Sequence, residues 1–170
     1  APAVGSDRGI RLWDPAVGSG CGIRPSDLVE SGMPASEPPC APRPGSPAAR
    51  EVQAALVAEV GVEPVVVDPD VTAAYRADRA TPVSPGEPVA LVRARHTADV
   101  QAVLRVASRL RVPVVTRGLG TGLSGGSSAI DGGIVLSTER MRALRIEPDA
   151  MVAVVGPGLR NVEVNDAARR

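Results

Sequence analysis

The chain has 170 residues and a formal net charge of zero, because 19 basic residues, all of them arginine, balance 19 acidic ones. This balance excludes the positive field that draws proteins to nucleic acids or anionic membranes, and the lack of lysine excludes a Walker phosphate loop and Schiff-base chemistry. Trp13 and Tyr75 are the only aromatic residues. Base-stacking surfaces are therefore excluded as well, and we expect no nucleic-acid partner.

Residues 1–46 contain many prolines interleaved with glycine and serine, without helical or strand periodicity. This composition predicts a disordered leader. A regulatory or partner-binding arm is an alternative, as is a start site assigned too far upstream. Cys21 and Cys40 lie in this segment and permit a disulfide, but without a second ligand cluster we expect no metal site.

The chain shows no sequence signal for membranes or secretion. No apolar stretch approaches the roughly 18 residues of a membrane span. The N-terminus also lacks the basic and then apolar pattern of a secretion signal. We therefore expect no transmembrane segment and a cytoplasmic location.

Residues 47–82 are predicted to form a helical lead-in. Ser46 is a candidate helix N-cap, followed by Pro47 at the first helical position. Apolar residues then recur every four positions up to a glycine that ends the helix: Val52, Leu56, Val60 and Gly61. Residues 65–67 predict a short strand and residues 68–70 a turn, and the prolines at 82 and 85 favour a loop up to Gly86.

Residues 83–170 alternate between strand and helix signals, which predicts an α+β fold. Strands are expected at 89–92 and 112–116, with a helix between them that Thr97 caps. The apolar residues of this helix follow the i, i+3, i+4, i+7 pattern: Val100, Val103, Leu104, Ala107 and Leu110. Together the three elements predict a βαβ unit. Further strands are expected at 134–137 and 151–155, and a helix from Leu159.

The run Arg117–Gly126 follows the second strand of this unit and holds five glycines between positions 118 and 126. Glycine adopts positive φ and lets a ligand approach the main chain, so that successive N–H groups converge on one anion. The carboxyl end of a strand is where ligands bind in α/β sheets. The run therefore indicates a diphosphate-binding loop, with a flexible surface loop as the alternative.

Gly120–Gly125 also match the G-x-G-x-x-G fingerprint of nicotinamide dinucleotide sites. That fingerprint requires a helix directly after the loop. Residues 126–133 are instead rich in serine and glycine, and each glycine costs a helix about 1 kcal/mol relative to alanine. We therefore expect no Rossmann helix, and we interpret Glu139 as a solvated turn residue rather than a ribose-binding acid.

Several separate segments give the chain a family resemblance over residues 48–170. They are Pro113–Gly126, Asp131–Ser137, Arg140-Met141 and Gly156–Asn161, with Tyr75, Asp78-Arg79 and Gly86–Ala90 before them. In order and spacing the chain resembles the FAD-linked oxidases of the vanillyl-alcohol oxidase (PCMH-type) fold. Within them it is most similar to the branch of the glycolate oxidase FAD-binding subunit and D-lactate dehydrogenase.

The resemblance implies an α+β fold: the first half of a PCMH-type FAD-binding domain over residues 83–170, after the lead-in and the leader. It also implies that the glycine loop and a later turn hold FAD. The implied cofactor-binding residues are Arg117, Gly118, Leu119, Gly120, Thr121, Gly122, Leu123, Ser124, Gly125, Gly126, Pro157 and Gly158.

Some of these residues have a structural alternative. Thr121 and Ser124 would donate hydroxyl bonds to phosphate oxygens or only shape the loop. Arg117 would balance the diphosphate charge or brace the loop. Pro157 and Gly158 would lie on the adenosine side of FAD or form a structural turn.

Some relatives attach FAD covalently through a histidine in this loop, where the present chain has Thr121. The resemblance therefore implies noncovalent FAD. His96, the only histidine, is expected to be solvated rather than catalytic. No catalytic residue and no metal ligand is assigned.

The resemblance further implies a reaction in which a 2-hydroxy acid such as glycolate or D-lactate transfers a hydride to FAD. The rest of the FAD domain and a cap domain would supply the substrate-binding and catalytic residues, with other oxidase subunits as candidate partners. We expect the isolated chain to be inactive and to bind FAD weakly or not at all. Another PCMH-fold flavoenzyme and a noncatalytic nucleotide-binding module are the alternatives.

Overall fold

The computed structural model describes residues 41–80 and 83–169. Residues 1–40 of the predicted leader, with both cysteines, lie outside the described residues. Among the described residues no helix is long and apolar enough to cross a membrane, and no cluster of metal-ligating side chains is present.

The described chain contains four helices and six strands. The helices are α1 (Pro47–Val60), α2 (Pro69–Ala73), α3 (Thr97–Leu110) and α4 (Asn161–Ala168). The strands are β1 (Val65–Val66), β2 (Ala90–Arg93), β3 (Val114–Arg117), β4 (Ile134–Ser137), β5 (Leu144–Glu147) and β6 (Val152–Val155).

Helix α1 begins and ends at the residues that the sequence predicts. The Ser46 hydroxyl accepts a hydrogen bond from the Ala49 N–H at 3.1 Å, a cap worth about 1 kcal/mol. Gly61 ends the helix with a φ of 84°, which glycine adopts without a Cβ penalty. The buried face of α1 consists of Ala49, Val52, Leu56 and Val60.

Four strands form one sheet in the order β1-β2-β4-β3, and β5 and β6 form a separate antiparallel pair. Strand β1 is antiparallel to β2, whereas β2 and β3 each run parallel to β4. The predicted β2-α3-β3 unit is confirmed in its order of elements. Its two strands are not neighbours, however, because β4 is inserted between them.

The strands alternate their side chains between two apolar clusters, as a period of two requires. On one face Ala90, Val92, Ile134 and Leu136 pack with α1 and α3. On the other face Leu91 and Val135 pack with Ala129, Val66 and Tyr75. Full burial of one Val, Leu or Ile side chain contributes about 1.5–3 kcal/mol. The second cluster contains Tyr75, which lies before the glycine loop in the chain, and Ala129, which lies after it. It therefore fixes the chain on both sides of that loop.

Three local predictions are wrong. Residues 68–70 do not form a simple turn, because Asp68 caps the short helix α2 by accepting a bond from the Asp70 N–H at 2.9 Å. The N-cap of α3 is His96 rather than Thr97. Leu104 is 47% exposed, and Val106 is buried on that helix instead, so the apolar face is rotated from the predicted one.

Candidate functional site

The glycine loop leaves β3 after Arg117 and reaches β4 at Ile134. Because β3 and β4 are parallel neighbours, this connection must return along the full length of the strands. Residues 118–133, all of which the structure describes, make the return without any helix. The prediction that no Rossmann helix follows the fingerprint is therefore confirmed.

Between Gly118 and Gly126, two glycines of the loop are required by the fold. Gly120 and Gly125 have φ values of 66° and 80°, which L side chains rarely adopt. A Cβ at Gly120 would collide with the Arg117 guanidinium, and one at Gly125 would lie 2.7 Å from a Val83 methyl group. Glycine is needed at these positions whether or not a ligand binds.

Two other glycines are not required by the fold. At Gly118 and Gly126 the backbone has no left-handed φ, and an added Cβ would meet no described atom within 4 Å. An alanine there would cost the unbound chain little. Bare backbone at these positions leaves room for a ligand to approach the main chain closely.

The loop also presents unused hydrogen-bond donors. Within the described part of the chain, the consecutive N–H groups from Gly118 to Gly126 donate to no protein acceptor. Thr121, Leu123 and Ser124 are exposed at the tip of the loop, and the apolar side chains of Leu119 and Leu123 are 57% and 77% exposed. The loop thus exposes two hydroxyls and two leucines to solvent, beside successive N–H groups that have no described protein acceptor.

Arg117 lies inside the loop rather than on its surface. Its side chain is only 8% exposed. The Nη1 atom donates to the Ala77 carbonyl at 2.7 Å and to the Ser127 carbonyl at 3.4 Å. The guanidinium carbon lies 5.9 Å from the centre of the Tyr75 ring, within cation–π range. In this position Arg117 braces the loop.

Residues 75–80 run along the loop, and we call them the bracing segment. The Arg79 N–H donates to the Gly122 carbonyl at 2.9 Å, and the Ala129 N–H donates to the Arg76 carbonyl at 2.7 Å. Asp78 binds the return side of the loop, because its carboxylate accepts from the hydroxyl of Ser128 at 3.1 Å and from the hydroxyl and N–H of Ser127 at 3.4 Å.

The Asp78 carboxylate is stabilised in its charged form. The Ala80 N–H is the largest cause, and the donors on Ser128 and Ser127 add to it, so the pKa of Asp78 is held below its ordinary value. Sequence reasoning placed Asp78 in the family motif but gave it no role at the site. The available signal was the spacing Tyr75-x-x-Asp78. The partners of Asp78 lie about fifty residues further along the chain.

A cleft of about 580 Å³ lies beside the loop at the carboxyl end of the sheet. It brings Leu119 of the loop together with Gly158 of the predicted later turn. Gly158 is buried, and a Cβ there would lie 2.5 Å from the Glu139 carbonyl oxygen; Pro157 is exposed. The remaining lining is charged: Arg93, Glu139, Arg140, Arg142, Arg160 and Glu163. The two predicted segments therefore share one cleft with an excess of arginine.

Glu139 lies in a turn, as the sequence predicts, but the prediction that it is solvated is wrong. Its Oε1 atom accepts a hydrogen bond from the Tyr75 hydroxyl at 2.7 Å and one from Arg93 Nε at 2.6 Å. The side chain is only 24% exposed. Sequence reasoning missed these contacts because the partners lie 64 and 46 positions away. The available signal was an acidic residue just after the carboxyl end of a predicted strand.

His96 lies away from these contacts, at the start of α3. Its Nδ1 atom accepts from the Asp99 N–H at 3.4 Å, and its side chain is 60% exposed. This position is that of a solvated helix cap.

Fold and loop together define a flavin-binding domain. Residues 88–170, just under half of the chain, match the family described as "FAD binding domain". Together with the relatives and solved structures described next, this match confirms the resemblance to FAD-linked oxidases of the glycolate oxidase and D-lactate dehydrogenase branch.

Two curated relatives illustrate the similarity. A D-lactate dehydrogenase of Archaeoglobus fulgidus is 42% identical over 100 residues, which are 57% of this chain and 23% of that protein. The glycolate oxidase subunit GlcD of Escherichia coli K12 is 44% identical over 81 residues, which are 47% of this chain and 16% of that protein. The chain thus spans less than a quarter of the length of either relative.

Solved structures confirm the PCMH-type fold. A 4-ethylphenol oxidase from Gulosibacter chungangensis superposes with a TM-score of 0.65 at 26% identity, over 75% of this chain and 26% of that one. A p-cresol methylhydroxylase superposes with a TM-score of 0.64 at 24% identity, over 74% of this chain and 25% of that one.

Proposed function

We propose that this chain supplies the diphosphate-binding part of the FAD site in a flavin-dependent oxidoreductase that oxidises a 2-hydroxy acid. One observation carries the proposal: Gly118 and Gly126 are bare where the fold does not require it, in a loop whose N–H groups are unused among the described residues. The substrate class is suggested by the names of the relatives, a D-lactate dehydrogenase and a glycolate oxidase subunit.

The loop would hold the diphosphate through its main chain. Hydrogen bonds to charged groups contribute about 1.5–3 kcal/mol each, so three or four N–H groups would supply a large part of the binding free energy of the diphosphate. The hydroxyls of Thr121 and Ser124 add two further donors at the exposed tip. Gly120, Gly122 and Gly125 give the loop its path, and Leu119 and Leu123 flank it. Gly158, which lines the same cleft as Leu119, and its neighbour Pro157 would contact the adenosine side.

Arg117 supports this site electrostatically as well as mechanically. Its buried guanidinium bonds only to carbonyl oxygens, and it makes no ion pair with any described carboxylate. A buried cation without a counter-ion favours a nearby anion. The two roles considered for Arg117 are therefore compatible, because the cation that braces the loop also attracts the diphosphate.

Attachment of FAD is proposed to be noncovalent. The loop from Arg117 to Gly126 carries Thr121 at the position of the linking histidine and contains no histidine, cysteine or tyrosine. When bound, FAD supplies a hydride acceptor at its flavin N5 atom. We assign no catalytic base to this chain. Binding of the hydroxy acid, the catalytic base and contacts with any further oxidase subunits are assigned to other parts of the complete enzyme. The same proposal includes a division of the chain into a leader up to residue 46, a lead-in up to residue 82 and an FAD-binding part after it. It also includes a cytoplasmic location.

A chimera tests the proposal. Residues 47–170, which include the bracing segment, replace the corresponding segment of the Escherichia coli glycolate oxidase subunit, and bound flavin and glycolate oxidation are measured. We expect the chimera to retain FAD, and its Gly126→Val variant to lose FAD while unfolding at the same denaturant concentration. Ala150→Val, at an exposed turn between β5 and β6, is the matched control. A folded chimera without FAD, or full FAD occupancy in Gly126→Val, would refute the proposal.

The isolated chain gives a second measurement. We expect weak FAD binding or none, because the loop offers only the phosphate-binding contacts. Tight binding, seen as flavin that stays with the purified chain through gel filtration, would contradict this expectation.

A further inference from the structure

We propose that Glu139 is a positioning residue, which acts through Tyr75 to fix the bracing segment and with it the glycine loop. The relevance to FAD rests on the proposed function, whereas the positioning itself does not. Among the described residues the Glu139 carboxylate forms hydrogen bonds with Tyr75 and Arg93 and with no residue of the loop. Glu139 follows β4, which pairs with both β2 and β3.

The first step runs from the sheet to Tyr75. Glu139 lies two residues beyond the end of β4, and Arg93 is the last residue of β2. The Glu139 Oε1 atom is within 2.7 Å of the Tyr75 hydroxyl and 2.6 Å of Arg93 Nε. One carboxylate oxygen thus joins the carboxyl ends of two paired strands to the first residue of the bracing segment.

The second step runs from Tyr75 to the loop. The segment after Tyr75 has no helix or strand of its own, so its position depends on such side-chain contacts. It meets the loop at Gly122, Ser127 and Ala129. The Tyr75 ring also lies beneath the Arg117 guanidinium, which fills the space beside Gly120. A shift of Tyr75 therefore moves both supports of the loop.

The charges around Tyr75 agree with this arrangement. Burial raises the pKa of Tyr75, and the hydrogen bond and negative charge of Glu139 raise it further, against the lowering effect of Arg93 and Arg117. The proton on the Tyr75 hydroxyl is therefore held firmly in the bond to Glu139. Tyr75 is the only tyrosine of the chain, so tyrosinate absorbance reports on this one bond.

The test compares Glu139→Ala and Glu139→Gln in the full 170-residue chain. Gln keeps an acceptor oxygen for both partners but removes the charge. Glu147→Ala is the matched control, because Glu147 pairs with Arg145 at 2.8 Å on β5. The first measurement is the Tyr75 titration. The second is amide hydrogen exchange at Arg79 and Ala129, whose N–H groups bridge the bracing segment and the loop.

For Glu139→Ala we expect a lower pKa of Tyr75. We also expect amide exchange at Arg79 and Ala129 to be about tenfold faster, because one charged hydrogen bond is lost. Exchange rates in α3 should not change. Glu139→Gln should restore most of the protection, and Glu147→Ala should change neither measurement. Unchanged exchange at Arg79 and Ala129 would overturn the proposal. Equal acceleration throughout α3 and the loop would also overturn it, because it would show only a general loss of stability.

FAD affinity separates this inference from the proposed function. In the glycolate oxidase chimera we expect Glu139→Ala to weaken FAD binding about tenfold and Glu139→Gln to weaken it less. If the parent chimera binds no FAD, the proposed function fails, and the Tyr75 titration and the exchange rates still decide the role of Glu139.

Discussion

Alanine at Gly120 tests whether this glycine serves the fold, with alanine at Gly118 as the control in the same loop. At Gly120 alanine would sit at a φ of 66°, which costs an L residue about 1–2 kcal/mol. Its Cβ would also displace the Arg117 guanidinium from the Ala77 carbonyl, a charged hydrogen bond worth about 1.5–3 kcal/mol. We therefore expect Gly120→Ala to lower the free energy of unfolding by roughly 2.5–5 kcal/mol.

At Gly118 neither cost applies, since the φ is ordinary and an added Cβ meets no described atom within 4 Å. The expected change is within about 0.5 kcal/mol. Urea unfolding followed by circular dichroism measures both variants. With a slope of about 1–3 kcal/mol per molar, Gly120→Ala should lower the midpoint by about 1–2 M or more. Similar midpoints for the two variants would refute the assignment of Gly120 to the fold and Gly118 to the ligand.

Three further predictions concern the cleft and the bracing segment. Gly158→Ala should destabilise the chain by about 1–3 kcal/mol in the same urea assay, because its Cβ would lie 2.5 Å from the backbone carbonyl of Glu139. The pKa of Asp78 is lowered from 3.8, so the stability that its carboxylate gives the loop is complete above pH 3.8 and is lost as the pH falls through the lowered pKa. Proteolysis of the loop should therefore accelerate as the pH falls through the lowered pKa. The Asp78→Asn variant should lack this pH dependence. Glu163 should titrate at about 2 in carbon-detected NMR, since the Arg160 N–H, the Arg160 side chain and Arg142 all bind its carboxylate; a midpoint near 4.5 would contradict those contacts.

Short-range signals in the sequence predict much of the fold. The two ends of α1, at Ser46 and Gly61, were predictable because a capping hydroxyl and a positive φ are properties of single residues. The strand at 134–137 follows from its apolar run. The lack of a helix after the glycine loop follows from the poor helix propensity of serine and glycine. Each of these depends on neighbours within a few positions.

Long-range pairing explains what the sequence did not predict. The insertion of β4 between β2 and β3 leaves no trace in periodicity, because a parallel strand buried on both faces is equally apolar wherever it pairs. Strand β5 was missed because Leu144–Glu147 alternates apolar and charged residues over only four positions and is half-exposed. Glu139 and Asp78 gain their roles from partners that lie 46 to 64 and about 50 positions away.

The glycines of the loop carry two kinds of information that the motif alone does not separate. A glycine-rich run presents Gly118, Gly120, Gly125 and Gly126 alike, although of these four the structure needs glycine only at Gly120 and Gly125. Because Arg117 and the bracing segment hold the loop through contacts within the chain, the path of the loop is set before any ligand binds. A ligand then avoids most of the entropy cost of ordering the loop. Selection for binding should therefore act at Gly118 and Gly126, and selection for the prepared shape at Gly120, Gly125 and the residues that hold Arg117.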